Sequence, residues 1–399
     1  MSPLFLVFAV CAFASGFSLR IVDPLVAPIA HHYGVTPALA ALLTTAYAIP
    51  YAIAQPFLGS IGDRFGKARC IQVCVVGLAV ALVLGAIAPT FATLMGTRVV
   101  AGVFAGGLIP LMIAELGDAF DLHERQVAIG RMLFFIITGQ MLGSTVAGLV
   151  NGAIGWRGAL AIAACTAALA ALLAWIAIPR LHARSAAAAI AGPSETSSMR
   201  ALYGRVFDNP KAVWLYGAVV LEGILIFGVF PYVGPLLVEH AGSSVEAAAR
   251  EAGLALGAFS IGGLLYALSV RRILGALGVR RMCIVGAAAA GLSYAALAAF
   301  TVWWWVAVAL AVTGVGYYML HNSLQTEATE IAPAARGSAV ALFAAGLFSG
   351  QGLGPLLFGG VAHGFGFATA LVGSCVGLLL LGVLVVRRIV PPVEAPAAA

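Results

Sequence analysis

The chain has 399 residues, of which 62% are hydrophobic and 9% charged, and a formal net charge of +6. So few polar side chains cannot clothe a water-soluble domain of this size, which excludes a soluble enzyme or a soluble binding module. In a bilayer every backbone group must be bonded internally, so the expected fold is an all-α membrane protein of long apolar helices.

Twelve apolar segments of helical length follow one another at 4–30, 36–60, 69–88, 91–116, 126–154, 156–180, 211–238, 246–272, 279–299, 301–328, 335–363 and 366–387. The first is read as a retained helix rather than a signal peptide, because it lacks a basic n-region and is interrupted by Arg20 and Asp23. Thr36-Pro37 supplies a start signal for the second, a capping hydroxyl followed by proline in the first turn. Between the sixth and seventh segments lies the one long polar stretch, Leu181 to Asn209, with Gly192-Pro193-Ser194-Glu195-Thr196-Ser197-Ser198 at its centre. It reads as a linker, with a short interfacial helix at Leu202–Phe207. The organisation is therefore a six-helix bundle over 1–180, a linker over 181–210, a second six-helix bundle over 211–391 and a tail over 392–399. The six cysteines (Cys11, Cys70, Cys74, Cys165, Cys283, Cys375) sit in or beside apolar runs without metal-site spacing. They read as small core residues, and no cofactor or metal is expected.

The two bundles are copies of one unit. Gly139-Gln140-Met141-Leu142-Gly143 recurs half a chain later as Gly350-Gln351-Gly352-Leu353-Gly354. The match extends to Gly148 with Gly359, Val150 with Val361, Gly155 with Gly366, and Ala159-Leu160 with Ala370-Leu371. A duplicated membrane bundle is a usual architecture of secondary transporters. Basic residues set the orientation. One set of loops carries Arg64, Lys67, Arg69, Arg125, Arg180, Arg184, Arg200, Arg205, Lys211, Arg271, Arg272, Arg280, Arg281, Arg336, Arg387 and Arg388; the other carries Arg157 and Arg250. Both termini and the linker are thus expected in the cytoplasm of a bacterial-type inner membrane. This bias accounts for the net charge, and no nucleic-acid partner is needed.

The loop after the second segment reads Gly59-Ser60-Ile61-Gly62-Asp63-Arg64-Phe65-Gly66-Lys67-Ala68-Arg69. It resembles the G-x-x-x-D-R-x-G-[RK]-x-[RK] signature of the major facilitator superfamily, in the position that family uses. Arg98-Val99-Val100-Ala101-Gly102 with Gly106-Gly107 resembles the fourth-helix motif of proton-coupled antiporters, with Ala101 in place of the usual Gln. Gly139-x-x-x-Gly143-Ser144 with Gly148 resembles the fifth-helix antiporter motif, with Ser144 where that motif has Pro. The Pro form occurs in the eleventh segment, as Gly350-x-x-x-Gly354-Pro355 with Gly359-Gly360. The chain as a whole is similar to twelve-helix drug–proton antiporters and sugar-efflux relatives. The resemblance implies a gating role for Asp63 and Arg64, bridging the halves on the cytoplasmic side. Gly59, Gly66, Lys67 and Arg69 complete that loop, and Glu115, Asp118 and Arg125 are candidate partners. The plain alternative for the basic residues is that they set topology only. The second copy, Gly275-Ala276-Leu277-Gly278-Val279-Arg280-Arg281, has no acid at the place of Asp63.

Ionisable residues inside the apolar segments are the sharpest functional signal, because each costs on the order of 2.5–3.5 kcal/mol at mid-bilayer. They fall at Arg20 and Asp23 in the first segment, Arg98 in the fourth, Glu222 in the seventh and His321 in the tenth. The resemblance implies that these same four helices line a central cavity. Arg20 and Asp23 are three apart and suited to pair; Asp23 and Arg98 lie at similar depth, about 10 Å in, and a structural Asp23–Arg98 pair is the alternative. Glu222 has no basic neighbour in its own segment, and removal from water favours the protonated carboxyl a proton carrier needs. Glu222 first, and Asp23 second, are the candidate proton-coupling residues. Around them lie Tyr47, Tyr51 and Gln55 at four-residue spacing, Tyr317, His321 and Gln325 likewise, then Asn322, Tyr232, Gln140 and Gln351. With Arg20 and Arg98 these form the candidate substrate-binding set, suited to a mid-sized amphipathic solute. Helix packing is the alternative role for each tyrosine and glutamine. Two arginines against one aspartate in the first half point toward an anionic group on the solute.

The function expected is a proton-coupled secondary active transporter of small organic molecules, an efflux antiporter working by alternating access as a monomer. The alternative is uptake or exchange of a small organic anion such as a carboxylate or sugar derivative. There is no His-Glu-x-x-His, no Gly-x-Ser-x-Gly and no Gly-x-x-x-x-Gly-Lys-[Ser/Thr], so neither an enzyme nor an ATP-driven pump is expected.

Overall fold

A computed structural model of the chain describes residues 3–119, 122–185, 204–299, 302–332 and 336–390. They form α1 (Pro3–Arg20), α2 (Val26–Tyr33), α3 (Pro37–Phe65), α4 (Lys67–Ala86), α5 (Phe91–Ala119), α6 (Leu122–Ser185), α7 (Lys211–Phe227), α8 (Val233–Ala241), α9 (Val245–Ala299), α10 (Trp303–Glu330), α11 (Arg336–Phe365) and α12 (Phe367–Arg388). No strand occurs among the described residues. Ten helical stretches are long and apolar enough to cross a membrane, and the longest two, of 45 and 55 residues, each fold back on themselves. The result is twelve spans. α1 and α2 together make the first, joined by a 3-10 turn at Asp23–Leu25, and α7 and α8 make the seventh, joined by a 3-10 turn at Phe230–Tyr232. Both termini of the described chain lie on one side, called the terminal side below; the other is the far side.

The fold-back points are glycines because the backbone there is open to nothing else. Gly155 has φ 68° and ψ 174°, and Gly278 has φ 66° and ψ 166°. A side chain in that region of backbone space costs on the order of 1–3 kcal/mol. The positive-φ residues of the described chain are Gly34, Gly66, Gly155, Gly242, Gly278 and Gly366. They fall into three repeat pairs, Gly34 with Gly242, Gly66 with Gly278, and Gly155 with Gly366. Helix starts repeat as well. The Thr36 hydroxyl accepts from the Leu39 N–H at 3.2 Å, and the Ser244 hydroxyl accepts from the Ala247 N–H at 3.2 Å.

The repeated pentapeptides are close-approach seams. A methyl group at Gly139 or Gly143 would strike the carbonyls of Phe13 and Phe17 in α1, and one at Gly350 would strike that of Val220 in α7. Without a hydrophobic drive between helices in lipid, such backbone contact is what holds spans together. The halves are not perfect copies in their packing. Gly106 of α5 lies on the backbone of Tyr51 in α3, whereas at the matching place in the second half the Tyr318 ring of α10 covers Gly263 of α9.

One apolar core runs through the first six spans, from Phe5 to Ile178, and a second through the last six. Val26, Ala30, Ala40 and Ala41 of the first half belong to the second core. They mark where the halves meet, on the far side. There Gly148 lies against Gly253, and the Thr45 hydroxyl donates to the Gly352 carbonyl at 2.7 Å. Tyr51 and Phe348 meet at mid-depth with ring centroids 4.2 Å apart. The expected segments correspond to the observed spans; the breaks in the first and seventh are the addition. Of the expected linker, 186–203 lies outside the described residues, as does the tail; Gly204–Phe207 within the expected Leu202–Phe207 helix is helical.

Candidate functional site

The site begins with the break in the first span. α1 ends at Arg20, and Pro24 in the turn that follows has no N–H to give. Its missing N–H opens the Arg20 carbonyl, and the stop of the helix leaves those of Ser18 and Leu19 without helical partners. Arg98, buried in α5, supplies them. Its Nη1 donates to the Ser18 carbonyl at 3.0 Å, its Nη2 to that of Leu19 at 3.5 Å, and its Nε to that of Leu43 at 3.4 Å. The guanidinium carbon lies 4.2 Å from the centre of the Tyr47 ring. Cationic donors at a helix C-terminus are favoured by the dipole as well as by the bonds. The hydrogen bonds of Arg98 thus go to carbonyls rather than to Asp23. The Arg20 carbonyl is taken by Ser144, whose hydroxyl donates at 3.1 Å. Its repeat counterpart, Pro355, uses its own carbonyl to accept from the Tyr232 hydroxyl at 2.9 Å.

With its backbone fixed this way, Arg20 turns its guanidinium toward the second half. Nη1 reaches Asp23 Oδ2 at 3.2 Å and Nη2 reaches Gln351 Oε1 at 2.6 Å. Of the two pairings open to Asp23, the structure makes the one with Arg20. The other Asp23 oxygen accepts from the Thr44 hydroxyl at 2.8 Å. The Arg20 guanidinium also lies over Phe227 at 4.3 Å and Phe230 at 5.1 Å. Every member of this group is buried, with Asp23 at 0% exposure.

Glu222 sits in α7 with its side chain fully buried. Its Oε2 lies 2.8 Å from Nδ1 of His321 in α10. Two bare acceptors would repel at that distance, so the pair holds a proton between them, on either the imidazole or the carboxyl. The second oxygen, Oε1, has no hydrogen-bond partner among the described residues. His321 stacks on Tyr317 with centroids 4.8 Å apart and lies 5.2 Å from Phe343. Tyr317 in turn meets Phe227 at 5.2 Å. A continuous polar and aromatic string therefore runs from Asp23 through Arg20, Phe227 and Tyr317 to His321 and Glu222.

The structure brings together Arg20, Asp23, Gln351, Tyr317, His321 and Glu222 on that string, and packs Tyr47 beside Arg98. The Tyr47 hydroxyl lies 2.7 Å from that of Ser18. Tyr51 and Gln55 are buried on the same stripe of α3. Tyr232 is buried in the second half, against Gly359. Gln140 is half-buried where α6 meets α1, without the cross-cleft contact of Gln351. Gln325 is half-buried, and Asn322 is exposed and donates to the Tyr266 hydroxyl at 2.9 Å, so neither joins the string. Thr44, Ser18 and Phe343 join these contacts although no motif singles them out. Thr44 carried a signal in hindsight, one turn before Tyr47 on the tyrosine stripe.

At the terminal side, Gly59, Asp63 and Arg64 end α3, Gly66 turns with φ 90°, and Lys67 and Arg69 open α4. Gly62 presses on the Leu111 side chain of α5. Arg64 and Arg69 are exposed, Lys67 is half-buried, and Glu115 is buried near the end of α5. The side chains of Asp63, Asp118 and Arg125 lie outside the described residues, and so does the setting of Gly59.

The model of the Major Facilitator Superfamily matches residues 8–250 and 233–399. Among curated relatives, a triacylglyceride transporter of Mycolicibacterium hassiacum is 34% identical over 88 residues, 22% of this chain and 16% of the relative. Puromycin resistance protein pur8 of Streptomyces alboniger is 29% identical over 197 residues, 49% of this chain and 39% of the relative. The match spans less than half the length of each of these relatives. Among solved structures, a bacterial homolog of the human lysosomal transporter Spinster, inward-facing and unoccupied, superposes with a TM-score of 0.78 at 18% identity, over 97% of both chains. At that identity the likeness is one of fold.

Proposed function

The chain belongs to the Major Facilitator Superfamily, and on that premise we propose that it is a proton-coupled exporter of small organic molecules, an antiporter working by alternating access. The two six-span halves, 1–180 and 211–391, rock about the cleft between them while the 181–210 linker tethers them. The Lys and Arg bias supports termini and linker in the cytoplasm of a bacterial-type inner membrane. The terminal side is then the cytoplasmic side, and the contacts between halves lie toward the periplasm. The Gly59–Arg69 loop, with Glu115, Asp118 and Arg125, acts as the cytoplasmic gate. The protein works as a monomer in lipid, with the solute and protons as its partners.

One observation carries the reading: a fully buried carboxyl with one oxygen on His321 and the other without a partner among the described residues. A group in that setting can take or give a proton without dismantling a larger network. Asp23, by contrast, is tied at both oxygens. Export is supported by the puromycin resistance relative, since a membrane transporter confers resistance by expelling the compound. The two arginines that pointed toward an anionic solute are both engaged, Arg98 by carbonyls and Arg20 by Asp23 and Gln351. Uptake or exchange of a small organic anion is thereby the less supported alternative.

The test uses vesicles reconstituted with the purified protein, with puromycin as the first solute tried and a panel of amphipathic compounds beside it. Flux is expected to follow an imposed pH gradient. Glu222→Gln should abolish that dependence and leave solute counterflow intact. A Glu222→Gln protein with the parent's pH dependence would remove Glu222 from the mechanism.

A further inference from the structure

Among the described side-chain pairs, Arg20 with Gln351 is the hydrogen bond that joins a side chain of the first half to a side chain of the second. The same guanidinium stacks on two rings of the seventh span, Phe227 and Phe230. Asp23 grips it from its own half, and Thr44 steadies Asp23. Arg20 and Gln351 are each 2% exposed, so water does not share the load. Around them lies the far-side seam, with the Thr45–Gly352 bond beside it.

The repeat shows that the contact is one-sided. Asp23-Pro24 and Phe230-Pro231 occupy matching turns, so Phe227 stands in the second half where Arg20 stands in the first. The guanidinium rests on its own counterpart. The mirror contact, from the seventh span to Gln140, has no cation to make it.

We propose that Arg20, Gln351 and the Phe227–Phe230 pair form a latch that holds the far side of the cleft shut and must release before that side opens. A hydrogen bond from a charged donor is about twice as strong as a neutral one, and burial strengthens it further. Changing the acceptor therefore shifts the balance in either direction. An apolar residue at 351 leaves one guanidinium donor unpaired in the closed state only. A carboxylate there adds an ion pair to the closed state only. The inference rests on alternating access, part of the function proposed above, but on no choice of solute or proton carrier.

The test reads accessibility rather than flux, so its failure and failure of the transport reading are told apart. Ala41 is fully buried within the second half's core. Ala41→Cys is introduced as a reporter, and the rate of reaction with a water-soluble maleimide is measured in nanodiscs, against the parent without the reporter. Gln351→Leu should raise that rate about tenfold, the equivalent of one charge-assisted bond. Gln351→Glu should lower it several-fold. Gln72→Leu, at a side chain that bonds the Ala174 carbonyl within the first half, should leave it unchanged. Equal rates for all three, or faster labelling with both Leu and Glu at 351, would overturn the latch. If Gln351→Leu does not fold, slower labelling in Gln351→Glu together with faster labelling in Phe230→Leu decides the question in the same way.

Discussion

Arg98→Lys separates a structural arginine from a solute-binding one. The guanidinium satisfies three carbonyls from three nitrogens and stacks on Tyr47. Lysine keeps the charge but gathers its donors on one atom, so one of the three bonds survives. Hydrogen bonds inside a membrane bundle average about 0.6 kcal/mol and reach about 1.7, so two lost bonds cost roughly 1–3 kcal/mol. Loss of the planar stack on a desolvated ring adds on the order of 1 kcal/mol. The expected loss is therefore about 2–4 kcal/mol, with no gain from removing a buried charge, since the charge stays. Thermal unfolding in detergent, followed by tryptophan fluorescence, measures it. Tyr47→Leu lowers stability too, and combined with Arg98→Lys it should do so less than additively, because the two changes remove the same stack. If Arg98→Lys unfolds at the parent's temperature, the guanidinium is not what holds the break in the first span, and a role facing the cleft becomes the better account.

Two further changes follow from the same structure. Gly155→Ala puts a methyl on a φ 68°, ψ 174° backbone and should cost roughly 1–3 kcal/mol, whereas Gly152→Ala, helical with open space around it, should be neutral or gain up to about 1 kcal/mol; thermal melting of the two proteins side by side decides. Thr44→Val removes the hydroxyl from one buried oxygen of Asp23 and should destabilise by about 1–3 kcal/mol in the same assay, while Thr44→Ser should be close to the parent.

The fold was legible because the bilayer permits so few solutions: hydropathy located every span, and the glycine repeat located the duplication. Charges at the first, fourth, seventh and tenth spans were legible for the same reason, since each is expensive and therefore placed. What the sequence concealed was partnership. Nothing in Arg98 and its neighbours says that its acceptors are carbonyls, because two of the three, those of Ser18 and Leu19, become available only when α1 stops at Arg20. Pro24 and Pro231 were the visible trace of that stop. Glu222 and His321 lie in different spans, and only their depth hinted at a meeting. Asn322 and Gln325 shared the spacing of the cleft residues yet not the string, because one face of a helix is wider than the site it serves. Ser144, which reads as a flaw in the fifth-helix motif, caps the carbonyl of Arg20.

The exchange of sizes between Gly106 with Tyr51 and Gly263 with Tyr318 bears on how such a molecule is rebuilt. A shuffled chain carrying α9's first span in place of α3 would set glycine opposite glycine and leave a void. The reciprocal shuffle would crowd two phenol rings into a space sized for one. Helices from the two repeats are thus spare parts in outline only, and a chimaera needs both members of each pair moved together.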